Sequence, residues 1–167
     1  MILEFASHHV MKIPTTILMT TVCLLIGNCA NPSPSGPKTM IHCKLAAKKL
    51  KGVHDFSLHW ISWDDFGSVK ISDKNGLWHI IGRQDSRKNQ DFIVIDGVIT
   101  EISPYEFKFD GSIVTRVHDI ADGEVVKRIG PKTFRITGNR QYWRMMEMNN
   151  PRDGVVDYVD VFFRRPQ

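Results

Sequence analysis

From Val53 to the end of the chain, apolar and polar residues alternate with a period of two. Phe56, Leu58 and Trp60 alternate with Ser57, His59 and Ile61, and Val69 and Ile71 alternate with Lys70 and Ser72. Successive strand residues point to opposite faces, so this period predicts strands with one buried face. Turn residues divide the pattern. Asp73-Lys74-Asn75-Gly76 predicts a hairpin, because Asn-Gly accepts the positive φ of a tight turn, and Leu77 to Gln84 supplies the return strand. After the polar stretch 85–90, Asp91 to Asp96 reads as a strand broken at Gly97, and Val98 to Ile102 as the next. Ser103-Pro104, Asp110-Gly111, Ala121-Asp122-Gly123, Gly130-Pro131-Lys132, Gly138-Asn139 and the loop 149–154 then separate six further runs, the last from Val155 to Phe163.

About ten strands at a spacing near ten residues, joined by short turns, predict an all-β chain of antiparallel neighbours. The expected architecture is an up-and-down meander over 53–165, closed into a small lipocalin-like barrel or folded as a sandwich. The barrel is preferred because closure removes exposed strand edges. One short N-terminal helix is expected within 39–52. Ile41, Leu45, Ala46 and Leu50 recur there at helical spacing among Lys44, Lys48, Lys49 and Lys51, with no acidic residue. Such a basic amphipathic segment either packs on the barrel or sits against an anionic membrane or cell wall.

The beginning of the chain has a different character. Met11-Lys12 precede an apolar run from Ile13 to Gly27, followed by Asn28-Cys29-Ala30 and the Pro/Ser/Gly stretch 31–37. A positive charge, a short apolar core and small residues are the marks of an export signal, expected over 1–28 with translation starting at Met11. The run is short for a membrane span and contains Pro14. The sequence Ile26-Gly27-Asn28-Cys29 resembles the exit of a bacterial lipoprotein signal. That resemblance implies that Cys29 becomes the lipidated first residue on a tether spanning 29–38. Asn28 stands where that family has Gly, Ala or Ser, and ordinary cleavage after Cys29 or Ala30 is the alternative. The expected location is the periplasm or the outer membrane as a lipoprotein in a bacterium, and otherwise outside the cell. Membrane attachment is expected through the signal or lipid anchor only. Cys23 leaves with the signal; Cys43 either pairs with Cys29 or is a lone thiol.

Composition adds little to this. The net charge of +4 permits anionic partners without demanding them, and nucleic acid is not expected for an exported chain of such modest charge. No phosphate loop, nucleophile elbow or metal-ligand spacing is present. No catalytic residue, cofactor or metal is therefore assigned. His42, His54, His59, His79 and His118 are scattered singly, as surface or hydrogen-bonded histidines are.

The segment Arg128 to Arg144 is the densest candidate for chemistry. Alternation sets Arg140, Tyr142 and Arg144 on one face and Gln141, Trp143 and Met145 on the other, while Arg135 separates from Phe134. A hairpin through Gly138-Asn139 brings arginines from two strands together, and Arg116 and Arg128 extend the face. Guanidinium forks bind carboxylate or phosphate, and a neighbouring ring stacks on a planar or sugar-like group. The candidate ligand-binding set is thus Arg116, Arg128, Arg135, Arg140, Tyr142 and Arg144. The plainer reading is a solvated face whose arginine stems cover apolar surface. Trp60, Trp63, Trp78, Trp143 and Met145 read as core, or as the lining of a cavity if the barrel is wide. Asp157 and Asp160 fall on opposite faces of the last strand, where one is expected to pair with an arginine of an adjacent strand.

Together these readings describe an exported, envelope-associated binding or interaction module, without enzymatic activity, for an anionic ligand or surface. It resembles in general terms the small lipocalin-like and lysozyme-inhibitor-like barrels of bacterial envelopes, although an inhibitor of a cationic lysozyme would present acidic surface. The alternatives are an envelope hydrolase or isomerase with a His/carboxylate site, and a structural protein acting through its surface. A His–carboxylate pair inside a pocket would favour the enzyme, and a packed interior the surface protein.

Overall fold

A computed structural model describes residues 36–163. The expected signal, the Cys29 anchor and the terminal Arg164-Arg165 pair lie outside the described residues. The elements are β1 (Met40–Ile41), α1 (Lys44–Leu50), β2 (Gly52–Leu58), β3 (Gly67–Lys74), β4 (Leu77–Asp85), β5 (Phe92–Ile102), β6 (Glu106–Arg116), a 3-10 turn at Ala121–Gly123, β7 (Val126–Arg135), β8 (Tyr142–Met145) and β9 (Val159–Phe162).

Strands β2 to β9 form an antiparallel closed barrel of eight strands. Each pairs with the next along the chain, and β9 returns to β2 through Phe56↔Val161 and Leu58↔Val159. This is the meander anticipated from the turn spacing, with the sandwich excluded by closure. β1 was not anticipated: Met40 and Ile41 lie parallel to Glu101 and Ile102 at the end of β5. Thr39 fixes that approach by donating to the Ile99 carbonyl at 2.5 Å and accepting from the Trp78 N–H at 2.8 Å.

Three positions read as turns or breaks lie within strands. Gly97 faces Gly111, and Gly111 faces Gly130, so the glycines form a row across β5, β6 and β7. A Cβ on Gly97 would lie 2.6 Å from Phe109 Cε2, and one on Gly111 2.8 Å from Phe109 Cζ. The missing side chains make room for the Phe109 ring, which lies over both backbones. Gly130 has φ +93 with open space around it, and so serves conformation and not clearance. As a result, fewer and longer strands form than the turn signals predict. The last two strands are shorter than predicted, because the segment between β8 and β9 is held by Asn150 and Asp157 and pairs only at Asn149↔Val156.

The interior is filled. Phe56, Leu58, Ile80, Ile95, Phe109, Ile113, Phe134, Met145 and Val161 have no exposed surface. Phe107 and Phe134 stack at 4.8 Å with Trp143 edge-on to Phe107 at 6.0 Å. Lys70, Asp96, Lys108, Asp110 and Lys127 stand outside in solvent. Apolar inside and polar outside is the reverse of a barrel that spans lipid. Ala47 and Leu50 of α1 join the core, and the His54 ring nitrogens lie 2.8 Å from the Leu50 carbonyl and 2.9 Å from that of Phe162, tying the helix to β9. Ile41 and Leu45, expected on the buried stripe of that segment, face solvent instead.

Candidate functional site

On β2, β8 and β9 the inward residues are Phe56, Leu58, Trp143, Met145, Val159 and Val161, which leaves Ser57, Arg144 and Asp160 on the outer face. The register sets them side by side, Ser57 opposite Asp160 and Asp160 opposite Arg144. Although they face outward, they are buried. Arg144 makes a two-pronged contact with Asp160, Nε to Oδ1 at 2.8 Å and Nη2 to Oδ2 at 2.6 Å. His59 Nε2 lies 2.7 Å from the same Oδ2.

Aromatic rings roof this assembly. The Arg144 guanidinium lies 4.1 Å from the Tyr158 ring centroid and 5.1 Å from that of Tyr142, and His59 packs on Trp63 at 4.0 Å. The hydrogen bonds that Arg144 donates to Asp160 hold its pKa above the ordinary value, outweighing burial. Fork-shaped pairing with an aromatic cover is a favourable way to bury such a charge. The Ser57 Oγ and His59 Nδ1 are buried without a hydrogen-bond partner among the described residues.

The chain leaving β2 passes over this assembly and forms one wall of a cleft. The cleft has a volume of about 390 Å³ and is lined by residues 59–65 and 86–88. Gln84 braces its floor: its amide oxygen accepts from the Leu58 N–H and its amide nitrogen donates to the Asp65 carbonyl, both at 2.7 Å. Trp60 and Trp63 are 48% and 68% exposed. Trp60 Nε1 donates to the Val156 carbonyl at 3.1 Å, fixing its indole. Arg87 pairs with Asp65 at 3.1 Å, while Lys88 is exposed and makes no ion pair among the described residues. The cleft thus joins ring faces, one cationic group not held by a carboxylate, and an imidazole fixed from behind.

The six residues singled out from the sequence are distributed as follows. Arg135 lies opposite Arg144 on the outer surface, and Arg140 and Arg144 flank the Tyr142 ring at 5.7 and 5.1 Å. These four share one surface. Arg135 is engaged by Glu106 at 2.7 Å, and Arg140 donates to the Thr137 hydroxyl at 2.6 Å. Arg116 sits at the far end of β6, donating to Gln90 Oε1 at 2.7 Å and to the Gly123 carbonyl. Arg128 shares the inward face of β7 with Phe134, opposite Ile113.

Inside the barrel, Arg128 Nη1 lies 3.0 Å from Asp157 Oδ2, which also accepts from Asn150 Nδ2 at 3.1 Å. The Arg128–Asp157 approach is close in charge but poorly aligned, since no guanidinium nitrogen meets hydrogen-bond geometry with any of the described residues. Burial pushes the Asp157 carboxyl up and the Arg128 guanidinium down, and outweighs their mutual attraction.

Both Asp157 and Asp160 pair with arginines of other strands, as expected for one of them. The tryptophans divide. Trp78 and Trp143 are core, but Trp60 and Trp63 are exposed at the cleft, where their alternation with the core pattern had ended. His59 was visible only as one of several histidines, because the β2–β9 contact that gives it Asp160 joins distant parts of the chain. Among the described residues no group of three or more His, Cys, Asp or Glu is arranged to hold a metal ion.

Fold and site together define a small closed antiparallel barrel whose filled interior holds the Arg128–Asp157–Asn150 cluster, and whose Arg144–Asp160–His59 cluster and clefts are carried on its outside. Residues 38–163 match the PM1083 family, and the chain belongs to it. It is 41% identical over 147 residues to the uncharacterised protein PM1083 of Pasteurella multocida (strain Pm70), an alignment covering 87% of this chain and 92% of that protein. No solved structure matches the chain.

Proposed function

We propose that the protein is an exported, envelope-associated binding module, without enzymatic activity, that holds an anionic, sugar-containing envelope component in the cleft beside His59 and Trp63. The observation that carries this reading is the meeting of exposed Trp60 and Trp63 with Arg87 and Lys88 around one cleft of about 390 Å³. Indole faces suit sugar rings, and the cationic groups suit carboxylate or phosphate. The filled interior turns the reading away from a ligand held inside the barrel, in the lipocalin manner. Export is supported by the pattern of residues 11–37.

The test is binding of soluble peptidoglycan fragments by calorimetry. Trp63→Ala with Lys88→Glu is expected to weaken binding by roughly thirtyfold or more, the effect of removing a central tryptophan contact. Unchanged affinity would remove the cleft from the account. Export and anchoring are tested separately. The wild-type chain should take up labelled fatty acid in a bacterial host and Cys29→Ser should not; a wild-type protein that never takes up label ends the anchored reading.

A second reading has its own support. His59 lines the cleft and lies 2.7 Å from Asp160, the pairing that orients an imidazole, and its other ring nitrogen must turn out of its buried position to act as a base. In that reading Asp160, fixed by Arg144, orients the imidazole, and His59 acts on an envelope substrate. New fragments released from peptidoglycan by wild-type protein but not by His59→Gln would favour it. Intact peptidoglycan after incubation with wild-type protein favours the binding module.

A further inference from the structure

The strand directions place several features at one end of the barrel, opposite the end where β2 runs into the cleft. α1 feeds β2 at its first residue, β1 lies against the last two residues of β5, and the described chain ends at Phe163 just beyond β9. The chain therefore enters and leaves at this end. Here Leu45 is 79% exposed, Met40 59% and Tyr105 70%, with Ile41 also in solvent. α1 turns Ala47 and Leu50 inward, which sends Leu45 outward; among the described residues no strand lies on the other side of β1. Lys38, Lys44 and Lys48 stand exposed around these residues and make no ion pair among the described residues. Glu101, the nearest acid along β1, is taken up by Lys108 at 2.6 Å and His42 at 3.2 Å. A second cleft, of about 390 Å³, opens between α1 and residues 136–141, with Lys49 and Arg140 in its lining.

We propose that this end of the barrel is a seat for an anionic lipid bilayer. Met40, Ile41, Leu45 and Tyr105 enter the interface, Lys38, Lys44 and Lys48 face the headgroups, and the second cleft accepts one anionic headgroup between Lys49 and Arg140. Exposed apolar side chains ringed by lysine are the recognised chemistry of interfacial binding, each lysine near an anionic surface strengthening it about fivefold. The proposal rests on the export and anchoring reading for its geometry. From Cys29 to Gly36 the chain reaches at most about 25 Å when fully extended, so a lipidated Cys29 keeps this end beside the membrane. The cleft beside His59 then points away from the bilayer, toward envelope polymer.

The experiment uses the Cys29→Ser protein, so that binding reports the seat and not the anchor. It is sedimented with phosphatidylcholine vesicles and with vesicles containing phosphatidylglycerol. Co-sedimentation with the anionic vesicles alone, lost at raised salt, is expected. Lys44→Glu with Lys48→Glu should weaken it by about thirtyfold or more, and Leu45→Ser with Met40→Ser should weaken it without changing its salt dependence. Equal binding to both vesicle types, binding unchanged by the lysine pair, or no sedimentation with either vesicle type would overturn the seat. Trp63→Ala with Lys88→Glu should leave vesicle binding intact. Loss of vesicle binding therefore speaks against the seat alone, and loss of fragment binding against the cleft alone.

Discussion

Replacing Arg144 by methionine is expected to cost the barrel about 3–5 kcal/mol of stability, read as a lowered urea midpoint. Asp160 has no exposed surface, and Arg144 supplies both prongs that satisfy its oxygens. Without Arg144, the carboxylate stays buried with the His59 ring as its remaining side-chain contact. The cost comes from the charge left behind more than from the strength of the pair. Accordingly, Arg144→Met combined with Asp160→Leu should recover most of the loss, because replacing a whole buried pair by apolar groups is close to neutral. A single variant that loses less than about 1 kcal/mol would place the pair with ordinary surface bridges and contradict its role in bracing the cleft.

Gly111→Val should be comparably damaging for a different reason. An added Cβ would lie 2.3 Å from the Asp96 carbonyl oxygen, 2.6 Å from the Gly97 Cα and 2.8 Å from Phe109 Cζ. Overpacking of this kind costs about 1–3 kcal/mol, and here the neighbour is partly backbone, which favours the upper end. Gly130→Ala separates the two uses of glycine. Its Cβ would meet nothing within 4 Å, but φ is +93, so only conformational strain applies, about 1 kcal/mol. Thermal unfolding of the two variants should therefore rank Gly111→Val well below Gly130→Ala. The reverse order would show that the row of glycines sets backbone conformation and not clearance for Phe109.

The barrel was legible because period-two alternation and short turns are local signals. Phe107, Phe109, Phe134, Trp143 and Met145 all face the side their alternation assigns. The glycine row was misread because glycine marks a turn and a close approach equally well, and only Phe109 decides between them. Helical spacing placed Ala46, Leu50, Ile41 and Leu45 on one stripe. The helix is only seven residues long, Lys44–Leu50, so Ile41 lies outside it and Leu45 has nothing to pack against.

The site was less visible. Arg135, Arg140, Tyr142 and Arg144 were grouped correctly by strand parity, because that grouping depends on neighbouring strands. What binds each arginine depends on partners elsewhere in the chain. Glu106 is 29 positions from Arg135, and Asp160 meets His59 only where the last strand closes on β2. No local pattern encodes a barrel seam, so a His–Asp contact across it is seen only once the chain is folded.

In the proposed function the barrel binds its ligand in the outer cleft and not in its interior. The most direct test is a titration of the isotopically labelled protein with soluble peptidoglycan fragments, following every backbone amide by nuclear magnetic resonance. The account predicts that shifts concentrate at residues 59–65 and 86–88, with Ile95, Phe109, Ile113 and Phe134 inside the barrel unmoved. Shifts centred on those interior residues, or none at the cleft under saturating fragment, would contradict it.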